Sequence, residues 1–210
     1  MDNFNFSLAQ IESLCMFDPD VAGMIQRKLS ANKDIFLKQL YQDIDDAIHD
    51  IEIKKHMYQD SQWGEDELTS VIITFLKGRL YDAEHDTQHG GHVDILVKHQ
   101  LGKFEWLGEA KLWDGPKYIH GGWIQLTERY GTGTLRDNHG GMLIFVKQDK
   151  SLEKFQSWEK YLLEQVPETK IEKDKLTPLR FMSSNEHPAT CLTYQVRHMA
   201  VSLYHFTGKN

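Results

Sequence analysis

Apolar residues recur every three or four positions along four stretches of the chain, which is the spacing that places them on one face of a helix. In the first stretch this face holds Leu37, Ile44 and Ile51, and in the second it holds Leu68 and Ile72. Polar and charged residues fill the positions between them. The pattern predicts helices over residues 31–58, 65–78, 118–130 and 151–165.

Between the second and third helices the pattern changes to short β-like runs separated by turn residues. The predicted strands cover residues 79–88, 92–99 and 103–112, and glycine-containing turns separate them. Such turns join neighbouring antiparallel strands, so we expect a three-stranded meander. Further along, the pattern predicts a strand over residues 141–147, a proline-containing loop over 166–188 and one or two closing strands over 189–206.

The first 60 residues differ from the rest in charge. They hold 11 acidic and 6 basic residues, whereas the whole chain of 210 residues has a net charge of −7. We expect residues 1–60 to be a helical accessory segment and residues 61–210 to be the main domain. The long first helix carries several acidic residues away from its apolar face, and we interpret them as a solvated face. The alternative is a surface for oligomerisation or a protein partner. These residues are Asp43, Asp45, Asp46 and Asp50.

Composition narrows the class of protein. Hydrophobic residues make up 40% and charged residues 26%, which excludes a disordered or collagen-like chain. The acidic net charge excludes a uniformly basic nucleic-acid binder. Cys15 and Cys191 are too far apart in sequence for a metal-type motif, and no apolar run reaches the ~18 residues of a membrane span. The N-terminus lacks the features of a signal peptide. We therefore expect a cytoplasmic protein that does not contact a membrane.

The candidate chemistry lies on the second and third predicted strands. Asp94 interrupts an apolar run, where a charge is costly without a partner. Glu109 and Lys111 are two residues apart, so both project from the same side of their strand. A neighbouring strand can bring Asp94 beside them, and a divalent cation would relieve the repulsion between the two carboxylates. Oxygen ligands favour Mg²⁺ or Mn²⁺. The alternative is an ordinary salt bridge on an exposed strand.

With Glu65 on the preceding helix, Asp94 and the Glu109-x-Lys111 pair, the stretch from Gly64 to Val146 resembles the PD-(D/E)xK, or restriction-endonuclease-like, nuclease superfamily. The resemblance implies an α/β fold with an αβββαβ core, a mixed central sheet flanked by helices, and here an N-terminal helical extension. It implies that Asp94 and Glu109 bind Mg²⁺, that Lys111 assists the attacking water, and that Glu65 completes the metal site.

The helix after this pair supplies further candidates. Some RecB-like members carry a glutamine and a tyrosine four residues apart there, whereas Gln125 and Tyr130 are five apart, so only Gln125 is carried over as a catalytic residue. Gln125 and Arg129 share a helical face and could orient a water and touch a phosphate. The alternative is an exposed polar face. Lys117 and Arg136 are further candidates for phosphate contacts from loops.

Two weaker patterns were weighed against these. His85, His89 and His92 have short spacings of the kind found in zinc sites, but they fall across a hairpin, and surface histidines are the preferred interpretation. The glycine-rich stretch over residues 131–134 lacks the lysine of a phosphate-binding P-loop, so nucleotide binding is not expected there.

The sequence thus predicts a Mg²⁺-dependent nuclease that hydrolyses the phosphodiester bonds of DNA, with Mn²⁺ as a substitute and endonucleolytic action preferred. By analogy at the level of fold alone, bacterial or phage defence or DNA processing would be its setting. Two alternatives stay open. One is a non-catalytic binding or regulatory module on the same fold, and the other is an RNA-cleaving toxin with the same site.

Overall fold

The structure of the protein is a computed structural model that describes residues 7–88 and 91–206. None of the helices in these ranges is both long and apolar enough to cross a membrane. The helices are α1 (Leu8–Phe17), α2 (Pro19–Leu29), α3 (Lys33–Ile53), α4 (Glu65–Gly78), α5 (Pro116–Ile124) and α6 (Ser151–Gln165), with a 3-10 turn at Lys55–Tyr58 and a π-helical turn at Gln125–Tyr130.

Seven strands form one mixed sheet in the order β1-β2-β3-β4-β7-β6-β5. The first three are an antiparallel meander, as predicted, and α5 then crosses over so that β4 lies parallel to β3. Strand β7 continues the parallel part, β6 pairs antiparallel with β7, and β5 pairs antiparallel with β6. The strands are β1 (Asp82–Gln88), β2 (His92–His99), β3 (Phe104–Leu112), β4 (His139–Val146), β5 (Lys170–Lys173), β6 (Arg180–Glu186) and β7 (Thr193–Ser202).

Helices cover both faces of the sheet, which confirms the α/β class. On one face, α3 and α4 contribute Ile48 and Ile72 to the same core as Trp106, and all three side chains are fully buried or nearly so. On the other face, α5 and α6 bring Trp123 and Trp158 into a second buried cluster. The two cores fix α4 and α5 on opposite sides of β3, the strand that carries the candidate chemistry.

The acidic face of α3 is not simply solvated. Asp43 is fully buried and receives two hydrogen bonds from Arg27, at 2.7 and 2.9 Å. Asp45 pairs with Arg180 at 3.0 Å and with Arg197 at 2.7 Å, which ties α3 to β6 and β7. The prediction was wrong for Asp43 because its partner is distant in sequence and invisible to helical periodicity. Helix α3 shares its core with the sheet, while a domain boundary near residue 60 stays a prediction.

Two predicted elements need correction. The proline-containing loop over residues 166–188 holds strands β5 and β6, which the pattern missed because exposed polar residues dominate the short edge strand β5. The predicted helix over 118–130 is α-helical only to Ile124 and continues as the π-helical turn. The closing region, predicted as one or two strands, forms the single strand β7.

Candidate active site

The candidate site opens where β2 and β3 separate. The two strands are paired from His99 and Phe104 as far as Ile95 and Gly108. The next two residues in this register, Asp94 and Glu109, are no longer paired. The Asp94 carboxylate takes the place of a strand partner, because its Oδ2 accepts a hydrogen bond of 2.8 Å from the Ala110 amide. The sequence predicted that the neighbouring strand would bring Asp94 alongside, and the structure does so.

Glu65 completes the same pattern one step further along β3. It is the first residue of α4, and its Oε1 accepts a hydrogen bond of 2.8 Å from the Leu112 amide and one of 2.9 Å from the Tyr118 hydroxyl. Its Oε2 lies 3.6 Å from Lys111 Nζ. Side-chain carboxylates from β2 and α4 therefore accept hydrogen bonds from the Ala110 and Leu112 amides, which β2 does not pair with through its backbone.

Glu109 and Lys111 lie together on the face of β3 that α5 covers. Lys111 Nζ is 2.7 Å from Glu109 Oε1, whereas Glu109 Oε2 is buried and has no hydrogen-bond partner. Gly122 of α5 makes this packing possible, because a Cβ there would stand 3.1 Å from Lys111 carbons and 3.2 Å from one of Glu109. We refer to Glu65, Asp94, Glu109 and Lys111 as the carboxylate–lysine cluster.

The cluster perturbs its own acidity. Burial, reinforced by the charge of Asp94, raises the pKa of Glu109 to about 7, against the opposing effect of Lys111. Burial also raises the pKa of Asp94, opposed by the Ala110 amide and Lys111. Burial acts to lower the pKa of Lys111, but the adjacent Glu109 carboxylate raises it overall. Two crowded carboxylates and one retained cation are therefore held in a partly buried space, an arrangement typical of functional sites.

A groove of about 580 Å³ runs beside Lys111 along α5 and the π-helical turn. Lys117, Gln125 and Arg129 line it, from the first turn of α5 to the π-helical turn. The structure therefore brings three residues predicted from the sequence to one surface next to the cluster. Their assigned roles stay predictions.

Arg136 does not lie in this groove. Its guanidinium pairs with Glu105 at 3.0 Å, near the start of β3 and away from the cluster. Of the histidines weighed as a zinc cluster, His89 lies outside the described residues and His85 is exposed on β1.

The π-helical turn changes the interpretation of Tyr130. In a π-helix hydrogen bonds join residues five apart, so residues five apart are related much as residues four apart are in an α-helix. The helix is π-helical from Gln125 onward, so the five-residue spacing of Gln125 and Tyr130 does not exclude Tyr130 from the site. Tyr130 is buried, and burial together with the charges of Glu109 and Asp94 raises its pKa.

Tyr118 is the site residue that the sequence analysis did not select. It lines the groove and donates its hydroxyl hydrogen to Glu65. Seven residues separate Tyr118 from Gln125, so the predicted helix already placed both on one face. The contact with Glu65 spans 53 residues of sequence, and no local pattern signals it.

Asp94 and Glu109 fit a divalent cation. Glu109 has a buried carboxylate oxygen without a partner, and the charge of Asp94 raises the pKa of Glu109, so a cation bound between them would relieve an existing strain. Glu65 is less available, since one of its oxygens already accepts two hydrogen bonds. Among the described residues, no group of three or more metal-binding side chains converges closely enough to hold an ion.

The chain matches no protein-family model, and no curated protein and no solved structure matches it significantly. Similarity to other proteins therefore does not assign it to a family. The features that describe the protein are its α/β fold with a mixed seven-stranded sheet and the carboxylate–lysine cluster where β2 and β3 separate.

Proposed function

We propose that this protein is a metal-dependent nuclease that hydrolyses the phosphodiester bonds of DNA. The observation that carries the proposal is that the cluster combines two crowded carboxylates with a side chain that keeps its positive charge. Glu109 and Asp94 place two carboxylates in a space that favours a cation, and Lys111 holds a positive charge at the edge of the adjoining groove. Hydrolysis of a phosphodiester needs both a metal-activated water and positive charge near the phosphate.

The order of elements supports the same proposal. A helix, three antiparallel strands, a crossover helix and a parallel strand follow one another from α4 to β4. This is the αβββαβ order that the resemblance to the restriction-endonuclease-like superfamily implies. Asp94 and the Glu109–Lys111 pair occupy the second and third strands of that order.

Mg²⁺ or Mn²⁺ held by Asp94 and Glu109 would supply an activated water and neutralise charge on the phosphate. Lys111 stays protonated at neutral pH, since its pKa is raised, and its ammonium can hold a water or a phosphate oxygen at the groove. Gln125 presents an amide to the same groove and can orient that water.

Arg129→Ala is expected to weaken substrate binding, because Arg129 lines the groove where the DNA backbone would lie. Kd should rise about five- to tenfold, and the dependence of affinity on salt should weaken by about one phosphate contact. Titration of binding at several salt concentrations measures both effects. Arg136→Ala is the matched control, since Arg136 pairs with Glu105 outside the groove. Equal losses in the two variants would contradict the assignment of the groove.

Lys111→Met tests the activity itself, because methionine keeps the unbranched stem of the side chain and removes its ammonium group. We expect the wild type to cut DNA with Mg²⁺ or Mn²⁺ and not with EDTA, and Lys111→Met to cut about 10²- to 10³-fold more slowly. The assay uses supercoiled DNA, linear DNA and RNA. Lys160→Met, on the exposed side of α6, is the control.

The outcomes separate the alternatives. Cutting of circular DNA would establish endonuclease action, and cutting of RNA alone would move the substrate to RNA. If Lys111→Met cuts as fast as Lys160→Met, the activity comes from another site or a contaminant. If the purified wild type cuts none of the three substrates with either metal, the enzymatic proposal is wrong and the binding module is preferred.

A further inference from the structure

We propose that Tyr118 is a positioning residue for the candidate nuclease site, an inference that rests on the proposed function. Its hydroxyl donates a hydrogen bond to Glu65. Glu65 in turn accepts a hydrogen bond from the unpaired end of β3 and lies beside Lys111. Tyr118 would then act on the reaction through Glu65 and not by touching the reacting atoms.

The contacts of Glu65 carry this inference. Both the Tyr118 hydroxyl, at 2.9 Å, and the Leu112 amide, at 2.8 Å, donate to its Oε1. Two donors on one oxygen fix the plane of the carboxylate, and its Oε2 is then directed toward Lys111 Nζ at 3.6 Å. Without the hydroxyl, the Leu112 amide and the more distant Lys111 ammonium are the contacts within the described residues that would still orient this carboxylate. Water can compete for it, because the Glu65 side chain is 25% exposed.

The position of Glu65 matters because β3 has lost its partner on this side. Pairing with β2 extends only as far as Gly108, so the Leu112 amide depends on Glu65 and the Ala110 amide on Asp94. The strand segment between them carries Glu109 and Lys111. Two carboxylates thus replace a neighbouring strand, and Tyr118 secures one of the two.

Tyr118 is suited to this role by its place on α5. Its ring is 43% exposed and lines the same groove as Lys117 and Gln125, so it joins the substrate surface to the cluster. Burial, with the hydrogen bond to Glu65, raises the pKa of Tyr118.

Tyr118→Phe tests the inference because it keeps the ring and removes only the hydroxyl. We expect kcat to fall about tenfold with KM changed less than twofold, the size of effect seen when a group that orients a catalytic residue is lost. In a Glu65→Ala background the same substitution should change kcat less than twofold, because residues that act through one another are not additive. Tyr204→Phe, at a similarly exposed tyrosine, is the control.

Amide hydrogen exchange gives a second measurement that does not depend on catalysis. Tyr118→Phe should speed exchange at the Leu112 amide several-fold, because its acceptor becomes less fixed. The Trp113 amide, which donates to the Phe145 carbonyl at 2.8 Å, should be unchanged and serves as the internal reference.

Each outcome decides the matter. Unchanged exchange at Leu112, or an equal loss of kcat with and without Glu65, overturns the inference. So does a result in which Tyr118→Phe is silent while Tyr118→Leu raises KM, since that would make the ring a substrate contact. A wild type that cuts no nucleic acid overturns the proposed function and the catalytic role of Tyr118 with it, and the exchange data then show whether the link to Glu65 exists.

Discussion

Asp94→Asn is expected to lower the rate of cleavage by about 10³-fold or more while the protein keeps its fold. Asparagine removes the negative charge that would hold a divalent cation. It keeps an oxygen in the same place, so the Ala110 amide retains its acceptor and the end of β3 stays fixed. Single-turnover cleavage of DNA with Mg²⁺ measures the rate, and thermal unfolding with circular dichroism verifies the fold.

Asp82→Asn provides the matched control for this experiment. Asp82 lies on the adjacent strand β1 and accepts a hydrogen bond of 3.2 Å from Gln100, away from the cluster. It should leave cleavage within about twofold of the wild type, because surface substitutions away from special features have small effects. If Asp94→Asn keeps a tenth or more of the activity, Asp94 does not bind the essential cation, and the site must be sought elsewhere.

The part of the site that follows from strand geometry was predictable from the sequence. A charge inside an apolar run marked Asp94, and alternation of side chains along β3 placed Glu109 and Lys111 on one face. The meander and the crossover helix followed from turn residues and helical spacing. Each of these inferences uses only residues that are near one another in the chain.

The rest of the site depends on contacts that no local pattern contains. The opening between β2 and β3 is a departure from regular pairing, and the π-helical turn is a departure from α-helical spacing. The bond from Tyr118 to Glu65 joins elements on opposite faces of the sheet. Periodicity assumes regular geometry, so it is least informative at the irregular places where the candidate site is formed.

The same limit applies to the supporting fold. The buried pair of Arg27 with Asp43, like the pairs of Asp45 with Arg180 and Arg197, joins residues far apart in sequence. The local sequence does not distinguish an aspartate that is buried in such an ion pair from one that is exposed to solvent. Only the packing of α3 against its neighbours distinguishes the two.

The cluster contains a buried carboxylate whose ionisation is unfavourable, and this should lower the free energy of unfolding at high pH. Glu109 is 1% exposed, and its pKa is raised from an ordinary 4.5 to about 7 by burial first and by Asp94 second. The folded protein therefore binds this proton more tightly than the unfolded chain does. The resulting stability is fully present below pH 4.5 and is lost as the pH rises toward 7.

Glu109→Gln is accordingly expected to stabilise the metal-free protein at pH 8 while removing its cleavage activity. Glutamine resembles the protonated acid, so it avoids the cost of an ionised carboxylate; a pKa of about 7 in place of 4.5 corresponds to about 3 kcal/mol at pH 8. Lys111 keeps Glu65 at 3.6 Å as a counter-charge. Urea unfolding of wild type and variant across pH 5 to 8, with EDTA present, measures the difference.

The pH dependence distinguishes this explanation from improved packing. The gain in free energy of unfolding from Glu109→Gln should shrink steadily as the pH is lowered toward 5, because Glu109 of the folded wild type is then already protonated. Glu105→Gln, which removes the partner of Arg136 on the same strand, should show no such gain. A gain of equal size at pH 5 and pH 8 would mean that the Glu109 charge is not the source of the strain. Mg²⁺ should stabilise the wild type at pH 8 and not Glu109→Gln, since the cation and the substitution relieve the same repulsion.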